Sequence, residues 1–198
     1  MIKQKKSVFI LASGGLDSTA SINYYIDAGF KVETLFIDFG QLASQKELIA
    51  LRKISKHYKI ENSVLRVRGF KPFRHGLIQG RNLFLISSSL MFLRNEYGII
   101  ALGIHAGTNY IDCSGEFVEQ VNHLLDMYTG GKLVLGTPFI NFTKAEIFEY
   151  CKIKEVPMSL TYSCELGLKQ PCNKCSSCKD LIKLYASQNK YIKASKRN

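Results

Sequence analysis

The segment SVFILASGGLDS, residues 7–18, decides how the rest of the chain is interpreted. Residues 7–12 form a short, nearly continuous apolar run with β-branched and aromatic members, which is typical of a strand buried on both faces. Ser13-Gly14-Gly15 interrupts this run, and the amphipathic stretch 16–28 then ends before Gly29, a residue typical of helix C-caps. The segment therefore predicts a strand, a tight glycine turn and a helix in direct succession.

The same alternation continues along the chain. It predicts strands at residues 31–39, 62–67, 99–104 and 132–135, and helices at residues 43–58, 82–97, 116–128 and 143–152. Such alternation is typical of βαβ units and predicts an α/β fold with an open, mostly parallel, doubly wound sheet. In these sheets, ligands bind at the carboxyl ends of the strands where the strand order reverses.

Composition narrows the class of protein. The chain has 198 residues, of which 46% are apolar and 22% are charged, and this excludes disorder and low complexity. The longest apolar runs, residues 8–12 and 99–102, are too short to span a bilayer. Since the first six residues contain no apolar segment with a cleavage site, we expect no membrane association and a cytoplasmic location.

The net charge of +11 is concentrated at the two ends of the chain. Three lysines stand in the first six residues, and residues 179–198 hold six basic side chains against Asp180. Basic tails attract phosphates or acidic partners, but a solvated, partly frayed terminus is the more ordinary account. The charge therefore does not by itself predict a nucleic-acid partner. The basic side chains nearest the end are Lys190, Lys193, Lys196 and Arg197.

The glycine turn predicts a phosphate site. Glycines let the backbone approach a ligand closely, and the N-terminus of the following helix offers unpaired N–H groups to an anion. Asp17 complements the helix dipole, and its carboxylate is also able to hold Mg²⁺ beside phosphates. The predicted binding residues are Ser13, Gly14, Gly15, Leu16, Asp17 and Ser18.

Four of the six cysteines are crowded near the C-terminus with the spacing C-x7-C-x2-C-x2-C. Four thiolates in one short loop are sufficient for a tetrahedral ion, and zinc is favoured over an iron–sulfur cluster. Because all four positions are thiolates, no position is left for a reacting water, so we expect a structural site. We place a nucleotide-binding domain at residues 1–156 and a zinc segment with its basic tail at residues 157–198. The predicted ligands are Cys164, Cys172, Cys175 and Cys178.

The glycine turn resembles a known phosphate-binding loop. It lacks the lysine of a Walker loop and the glycine spacing of a dinucleotide fingerprint. SGGLDS instead resembles the SGGxDS loop of the ATP pyrophosphatases, which cleave ATP between the α and β phosphates. That resemblance implies ATP as substrate, and AMP and pyrophosphate as products.

Further strings narrow the resemblance to one family. The 7-cyano-7-deazaguanine synthases carry DYGQ, PGRN, YPDCR and TKxEI in this order, followed by a zinc site. The corresponding strings here are DFGQ at 38–41, GRN at 80–82, YIDC at 110–113 and TKAEI at 143–147. This resemblance implies that ATP adenylates a deazaguanine carboxylate, that ammonia gives an amide, and that a second ATP drives dehydration to the nitrile. A homodimer is also implied by the resemblance.

The resemblance assigns roles to particular side chains. Asp17, Arg81 and Lys144 are the predicted catalytic residues, with the two cations neutralising phosphate or carboxylate charge. A lysine in the first turn of a helix is disfavoured by the dipole, which indicates that an anion holds Lys144 in place. Asp112 is able to accept hydrogen bonds from a deazaguanine N–H edge, and a turn-forming aspartate is the competing account. The predicted substrate-binding residues are Asp38, Gln41, Arg81 and Asp112.

The chain also departs from the family pattern. The arginine that follows the Asp-Cys pair in the family is Ser114 here, and the segment between residues 69 and 79 is shortened. These departures favour a divergent relative, of the kind found in antiphage defence operons, that passes the activated deazaguanine to a protein amine. An ATP-dependent tRNA-modifying enzyme and a nucleotide-binding scaffold without turnover are further alternatives. Cys113 lacks a partnered base and is better explained as a small buried residue than as a nucleophile.

Overall fold

The computed structural model describes residues 6–71, 73, 78–93, 98–108 and 110–195, without the side chains of residues 188–195. Five strands alternate with six α-helices along these residues. The elements are β1 (Ser7–Leu11), α1 (Leu16–Asp27), β2 (Lys31–Asp38), α2 (Ser44–Tyr58), β3 (Glu61–Arg66), α3 (Arg81–Leu93), β4 (Gly98–Leu102), α4 (Gly115–Thr129), β5 (Leu133–Gly136), α5 (Lys144–Ile153) and α6 (Ser176–Ser195).

The strands form one parallel sheet in the order β3-β2-β1-β4-β5. β1 lies at the centre, where Val8 pairs with Val32 of β2 on one side and with Ile99 of β4 on the other. The chain steps outward from β1 to β3 and then crosses to the opposite side for β4 and β5. The strand order therefore reverses between β1 and β4, and the predicted doubly wound α/β fold is confirmed.

β1 is buried on both faces, as its apolar run predicts. Val8 and Ile10 pack with side chains of α1 and α2 on one face of the sheet. Phe9 and Leu11 pack with side chains of α3 and α4 on the other face. Two separate apolar layers thus hold the central strand, and the loop that follows it starts from a rigid position.

Local capping patterns in the sequence predict the start of α5 but not the start of α6. Thr143 and Glu146 form the predicted capping box, in which the Glu146 carboxylate accepts from the Thr143 backbone N–H at 2.7 Å. The helix α6 was not predicted. Its start is capped by Glu165, whose carboxylate accepts from the Ser177 backbone N–H at 3.1 Å. Local capping patterns do not detect a cap that lies eleven residues before the first residue of its helix.

The C-terminal segment packs against the rest of the fold. Leu181 and Leu184 of α6 pack on the apolar cluster that α1 and α5 share. The backbone N–H of Tyr162 donates to the carbonyl of Gly14 at 2.9 Å. The segment is therefore attached directly to the glycine turn, and the proposed boundary near residue 156 stays a prediction.

Some predicted features lie outside the described residues. They are parts of the shortened segment (residues 72 and 74–77), the end of the helix predicted at 82–97 (residues 94–97), the end of the basic tail (residues 196–198) and residues 1–5. Along the part of the chain that is described, every helix is too short or too polar to cross a membrane.

Gly14 and Gly29 provide a matched test of how closely α2 packs on the glycine turn. Both have positive φ, at +74° and +79°, but a Cβ at Gly14 would lie 2.7 Å from the Glu47 carbonyl oxygen and 2.8 Å from the Leu51 nitrogen. A Cβ at Gly29 would meet nothing within 4 Å. We expect Gly29→Ala to lower the free energy of unfolding by about 1 kcal/mol. Gly14→Ala should cost about 2 kcal/mol more, because backbone must move.

Urea unfolding of the two variants measures this difference. Equal destabilisation at both positions would contradict the close packing of α2 on the turn.

Candidate active site and metal centre

A cavity of about 330 Å³ lies at the carboxyl edge of the sheet, where the strand order reverses. Its walls come from the loops after β1, β2 and β4, from the starts of α3 and α5, and from the C-terminal segment. This is the edge at which parallel α/β sheets bind ligands. Polar side chains on its walls include Ser13, Asp17, Ser18, Gln41, Glu47, Arg81, Asn82, Lys144, Tyr162, Glu165 and Ser177.

The glycine turn brings the backbone at the start of α1 to this cavity. Gly15 is the N-cap of α1, and its carbonyl accepts from the hydroxyls of Ser18 at 3.1 Å and Thr19 at 2.7 Å. Both hydroxyl protons are therefore engaged within the turn. The first N–H groups of α1 have no acceptor inside the helix and carry its positive dipole end. This arrangement suits an anion such as a phosphate.

Asp17 and Lys144 form an ion pair across the cavity, although 127 residues separate them. Lys144 donates to Asp17 Oδ2, and the two side chains are about three-quarters buried. The anion that holds Lys144 at the start of α5 is thus Asp17. The other carboxylate oxygen, Asp17 Oδ1, is buried and has no hydrogen-bond partner among the described residues. An unpartnered carboxylate oxygen beside the N-terminus of a helix that suits an anion fits a hard cation such as Mg²⁺.

Arg81 begins α3 and lines the cavity. Its Nε donates to Asn82 Oδ1 at 3.3 Å, and Asn82 is held in turn by Asp112. The Asp112 carboxylate accepts from the Asn82 backbone N–H at 3.2 Å, and its carbonyl accepts from Asn82 Nδ2 at 3.0 Å. Asp112 therefore holds the start of α3, and through Asn82 it positions Arg81. Its role in ring binding stays a prediction.

Asp38 lies beside a second, shallower depression at the end of β2. Its Oδ1 accepts from the Gly40 backbone N–H at 3.1 Å, and its Oδ2 pairs with Arg68 at 3.1 Å. Arg68 was not singled out by the sequence, because 30 residues separate it from Asp38 and no motif links them. Both oxygens of Asp38 are therefore engaged within the protein.

Gln41 anchors the loop that follows β2. Its Oε1 accepts from the Phe39 backbone N–H at 3.0 Å, and its Nε2 donates to the Ile37 carbonyl at 3.2 Å and to Glu47 Oε2 at 3.0 Å. A side-chain amide has two N–H donors, so both are in use. The substrate-binding role predicted for Gln41 stays a prediction, and its contacts are those of a loop anchor.

Glu47 is a cavity residue that the sequence did not indicate. Burial raises the pKa of its carboxyl group, and the Gln41 amide and the Arg81 charge oppose that rise. A glutamate in the first turn of an amphipathic helix is an ordinary dipole partner. Only the fold shows that this one faces the cavity.

The four predicted cysteines come together as one cluster. Their Sγ atoms all lie within 4.8 Å of one another, and Cys172 and Cys178 Sγ are 3.9 Å apart. Tetrahedral zinc with bonds of about 2.3 Å separates its sulfur ligands by about 3.8 Å. The backbone N–H groups of Cys175 and Lys174 donate to Cys172 Sγ at 3.3 and 3.4 Å and lower the pKa of that thiol to about 6. The cluster therefore fits a metal ion held by thiolates.

The metal loop also builds one wall of the cavity. Glu165 directly follows the first cysteine of the cluster and lines the cavity. Its carboxylate accepts from the hydroxyls of Ser176 at 2.7 Å and Ser177 at 2.9 Å, next to the last two cysteines. A metal that folds this loop therefore also shapes the ligand cavity.

A sequence model of the family described as "Queuosine biosynthesis protein QueC" matches residues 6–76 and 71–187. This chain belongs to that family. The 7-cyano-7-deazaguanine synthase of Prochlorococcus marinus strain MIT 9215 is 28% identical to it over 209 residues, covering 90% of this chain and 93% of the relative. The 7-cyano-7-deazaguanine synthase of Sulfolobus acidocaldarius is 30% identical over 208 residues, which cover 89% of this chain and 45% of the relative.

Solved structures show the same fold at low identity. The U34-tRNA thiolase NcsA from Methanococcus maripaludis, solved with its 4Fe–4S cluster, has a TM-score of 0.54 and 15% identity, covering 95% of this chain and 67% of the thiolase. NMN synthetase from Francisella tularensis has a TM-score of 0.51 and 16% identity, covering 85% of this chain and 71% of the synthetase. These likenesses support the fold of this QueC family member.

Two cysteine variants test the metal centre. Cys175→Ser removes one ligand, and we expect zinc content to fall well below about one ion per chain and the melting temperature to fall by about 5 °C or more. Cys113→Ser is the control, because Cys113 lies outside the cluster and its sulfur meets Asn82 Nδ2 only at 3.8 Å. Elemental analysis and thermal unfolding measure both effects. A zinc-replete Cys175→Ser protein with unchanged stability would refute the site.

Proposed function

We propose that this protein is an ATP-dependent ligase that converts 7-carboxy-7-deazaguanine and ammonia into 7-cyano-7-deazaguanine, releasing AMP and pyrophosphate. Family membership and the names of its relatives support this substrate. The single observation that carries the proposal is the Asp17–Lys144 pair beside the N-terminus of α1 in the cavity. It combines an anion-binding helix end, a cation and a free carboxylate oxygen at one point.

The first step needs charge stabilisation rather than a protein nucleophile. A carboxylate oxygen of the substrate attacks the α-phosphorus of ATP, the bond to the bridging oxygen breaks, and pyrophosphate leaves. The N–H groups at the start of α1 and the Lys144 ammonium neutralise the charge that develops on the phosphates. Asp17 would hold Mg²⁺ through Oδ1, and the ion would screen the phosphate oxygens.

The later steps use the same cavity. Ammonia attacks the acyl carbon of the adenylate, AMP leaves, and the lost proton yields the neutral amide. The amide oxygen then attacks the α-phosphorus of a second ATP and pyrophosphate leaves. Loss of AMP and of the two amide N–H protons then gives the nitrile. Arg81, fixed by Asn82 and Asp112, would clamp the substrate carboxylate or a phosphate through paired N–H groups.

The C-terminal cluster would hold structural zinc. Four thiolates complete a tetrahedral shell and leave no position for a reacting water. We therefore assign the metal to folding of the loop that carries Tyr162 and Glu165, two residues of the cavity wall.

One observation favours a second candidate, in which the acceptor is a protein amine. Ser114, which replaces the family arginine, caps α4 by accepting from the Phe117 backbone N–H at 3.1 Å. The guanidinium that this position supplies in the family is therefore replaced by a short hydroxyl. A protein acceptor, a homodimer and a tRNA substrate stay predictions.

Two aspartates of α1 test the proposed role of Asp17. Asp17→Asn removes the charge that faces Lys144 and the cation, and we expect pyrophosphate release to fall at least about 100-fold. Asp27→Asn is the matched control, because Asp27 pairs with Lys154 at 2.9 Å with about 40% of its side chain exposed and lies outside the cavity. Both variants should keep the wild-type melting temperature within a few degrees. Normal pyrophosphate release by Asp17→Asn would contradict the assignment.

The function itself is tested by incubation with ATP and 7-carboxy-7-deazaguanine, with and without ammonium. AMP and pyrophosphate release are measured, and mass spectrometry follows both the small molecules and the protein. The nitrile as product supports the proposal. A deazaguanine adduct on a protein amine supports the second candidate, and absence of ATP cleavage overturns both.

A further inference from the structure

Glu47 is a cavity residue without a role in the reaction steps proposed above. It lies in the first turn of α2, directly over the glycine turn, and its side chain lines the cavity. Its Oε2 accepts from Gln41 Nε2 at 3.0 Å. No donor among the described residues contacts Oε1, so one oxygen of this cavity-lining residue has no partner in that part of the chain.

The neighbouring polar groups make Glu47 the acceptor that a ligand would meet on this wall. Both N–H donors of Gln41 are engaged, and both oxygens of Asp38 are bound to Gly40 and Arg68. The ligand-facing acceptor near the end of β2 is therefore the Glu47 carboxylate.

The electrostatic setting favours a ligand that donates hydrogen bonds. Burial disfavours the charged form of the Glu47 carboxyl and raises its pKa, and the Arg81 charge opposes this only in part. A buried carboxylate is stabilised by hydrogen bonds to its charged form. A ligand with two adjacent N–H donors would supply them as charge-assisted hydrogen bonds, one to Oε1 and one to the second lone-pair site of Oε2.

The need for two adjacent donors distinguishes guanine-like rings from adenine. The pyrimidine edge of a guanine-like ring offers a ring N–H beside an amino group, which are two adjacent donors. The corresponding edge of adenine offers an amino group beside an unprotonated ring nitrogen, whose lone pair repels a carboxylate oxygen. Arg81 and Lys144 line the same cavity and would supply positive charge to the reacting carboxylate of that ring.

We propose that Glu47 is the residue that determines ring specificity, with its carboxylate accepting the ring N–H and the amino N–H of the 7-deazaguanine substrate. This inference rests on the proposed function. It adds a recognition role to a residue that is remote in sequence from the phosphate-binding turn.

Three variants separate recognition from loop anchoring. Glu47→Gln retains an oxygen that accepts from Gln41 but replaces the other acceptor by an N–H₂ donor. Glu47→Ala removes both contacts. Glu61→Gln is the matched control, since Glu61 is exposed at the start of β3, at the opposite edge of the sheet. Pyrophosphate release gives KM for 7-carboxy-7-deazaguanine and, separately, KM for ATP.

We expect Glu47→Gln and Glu47→Ala each to raise KM for 7-carboxy-7-deazaguanine by about 10- to 100-fold, the cost of a charged hydrogen-bond pair. KM for ATP should stay unchanged, and Glu61→Gln should resemble wild type in both constants. Normal KM values for Glu47→Gln with an impaired Glu47→Ala would reduce Glu47 to a loop anchor. A rise in KM for ATP instead would assign the carboxylate to adenine, and either result would overturn the proposal.

A change in the ligand tests the same contact without altering the protein. The analogue that lacks the 2-amino group should raise KM in wild type by a similar factor and in Glu47→Gln by much less. Equal KM values for the two ligands in wild type would overturn the recognition role of Glu47 but not the proposed function. If wild type releases no AMP with 7-carboxy-7-deazaguanine, the proposed function itself fails, which is a distinct result.

Discussion

The backbone of Gly14 is the point at which the parts of the cavity meet. Its positive φ and missing Cβ allow the Glu47 carbonyl and the Leu51 nitrogen of α2 to approach, and its own carbonyl accepts from Tyr162 of the C-terminal segment. One residue later, Gly15 is the N-cap of α1, and the first turn of that helix lines the cavity. A side chain at Gly14 would collide with the backbone of α2 and displace the glycine turn from that wall of the cavity.

The hydrogen bonds around the cavity divide its polar groups into two sets. Gln41, Asp38 and Asp112 use their polar atoms to hold loops and helix starts in place. Asp17 and Glu47 each retain one carboxylate oxygen without a partner among the described residues. The first set holds the site in place, and the second set supplies the acceptors for the proposed cation and the proposed ring, as preorganised sites require.

The sequence predicts those parts of this structure that depend on local patterns. Local sequence predicts the alternation of strands and helices, the capping box at Thr143 and the cluster of four cysteines. Interactions between distant residues are not readable in this way. The start of α6 is capped by Glu165, which is remote in sequence. The Asp17–Lys144 pair joins positions 127 residues apart, and only the resemblance to the family motifs placed both residues in one predicted site. Glu47 shows its role only once α2 is packed on the turn.

In the proposed reaction, the cavity activates a carboxylate by transferring the adenylyl group of ATP to a carboxylate oxygen. 7-Carboxy-7-deazaguanine labelled with ¹⁸O in the carboxylate tests this step, because bond cleavage after adenylation leaves the labelled oxygen on the leaving group. Mass spectrometry of the nucleotide products should find ¹⁸O in AMP and none in pyrophosphate. Label in pyrophosphate or inorganic phosphate, or AMP released without label, would contradict the mechanism.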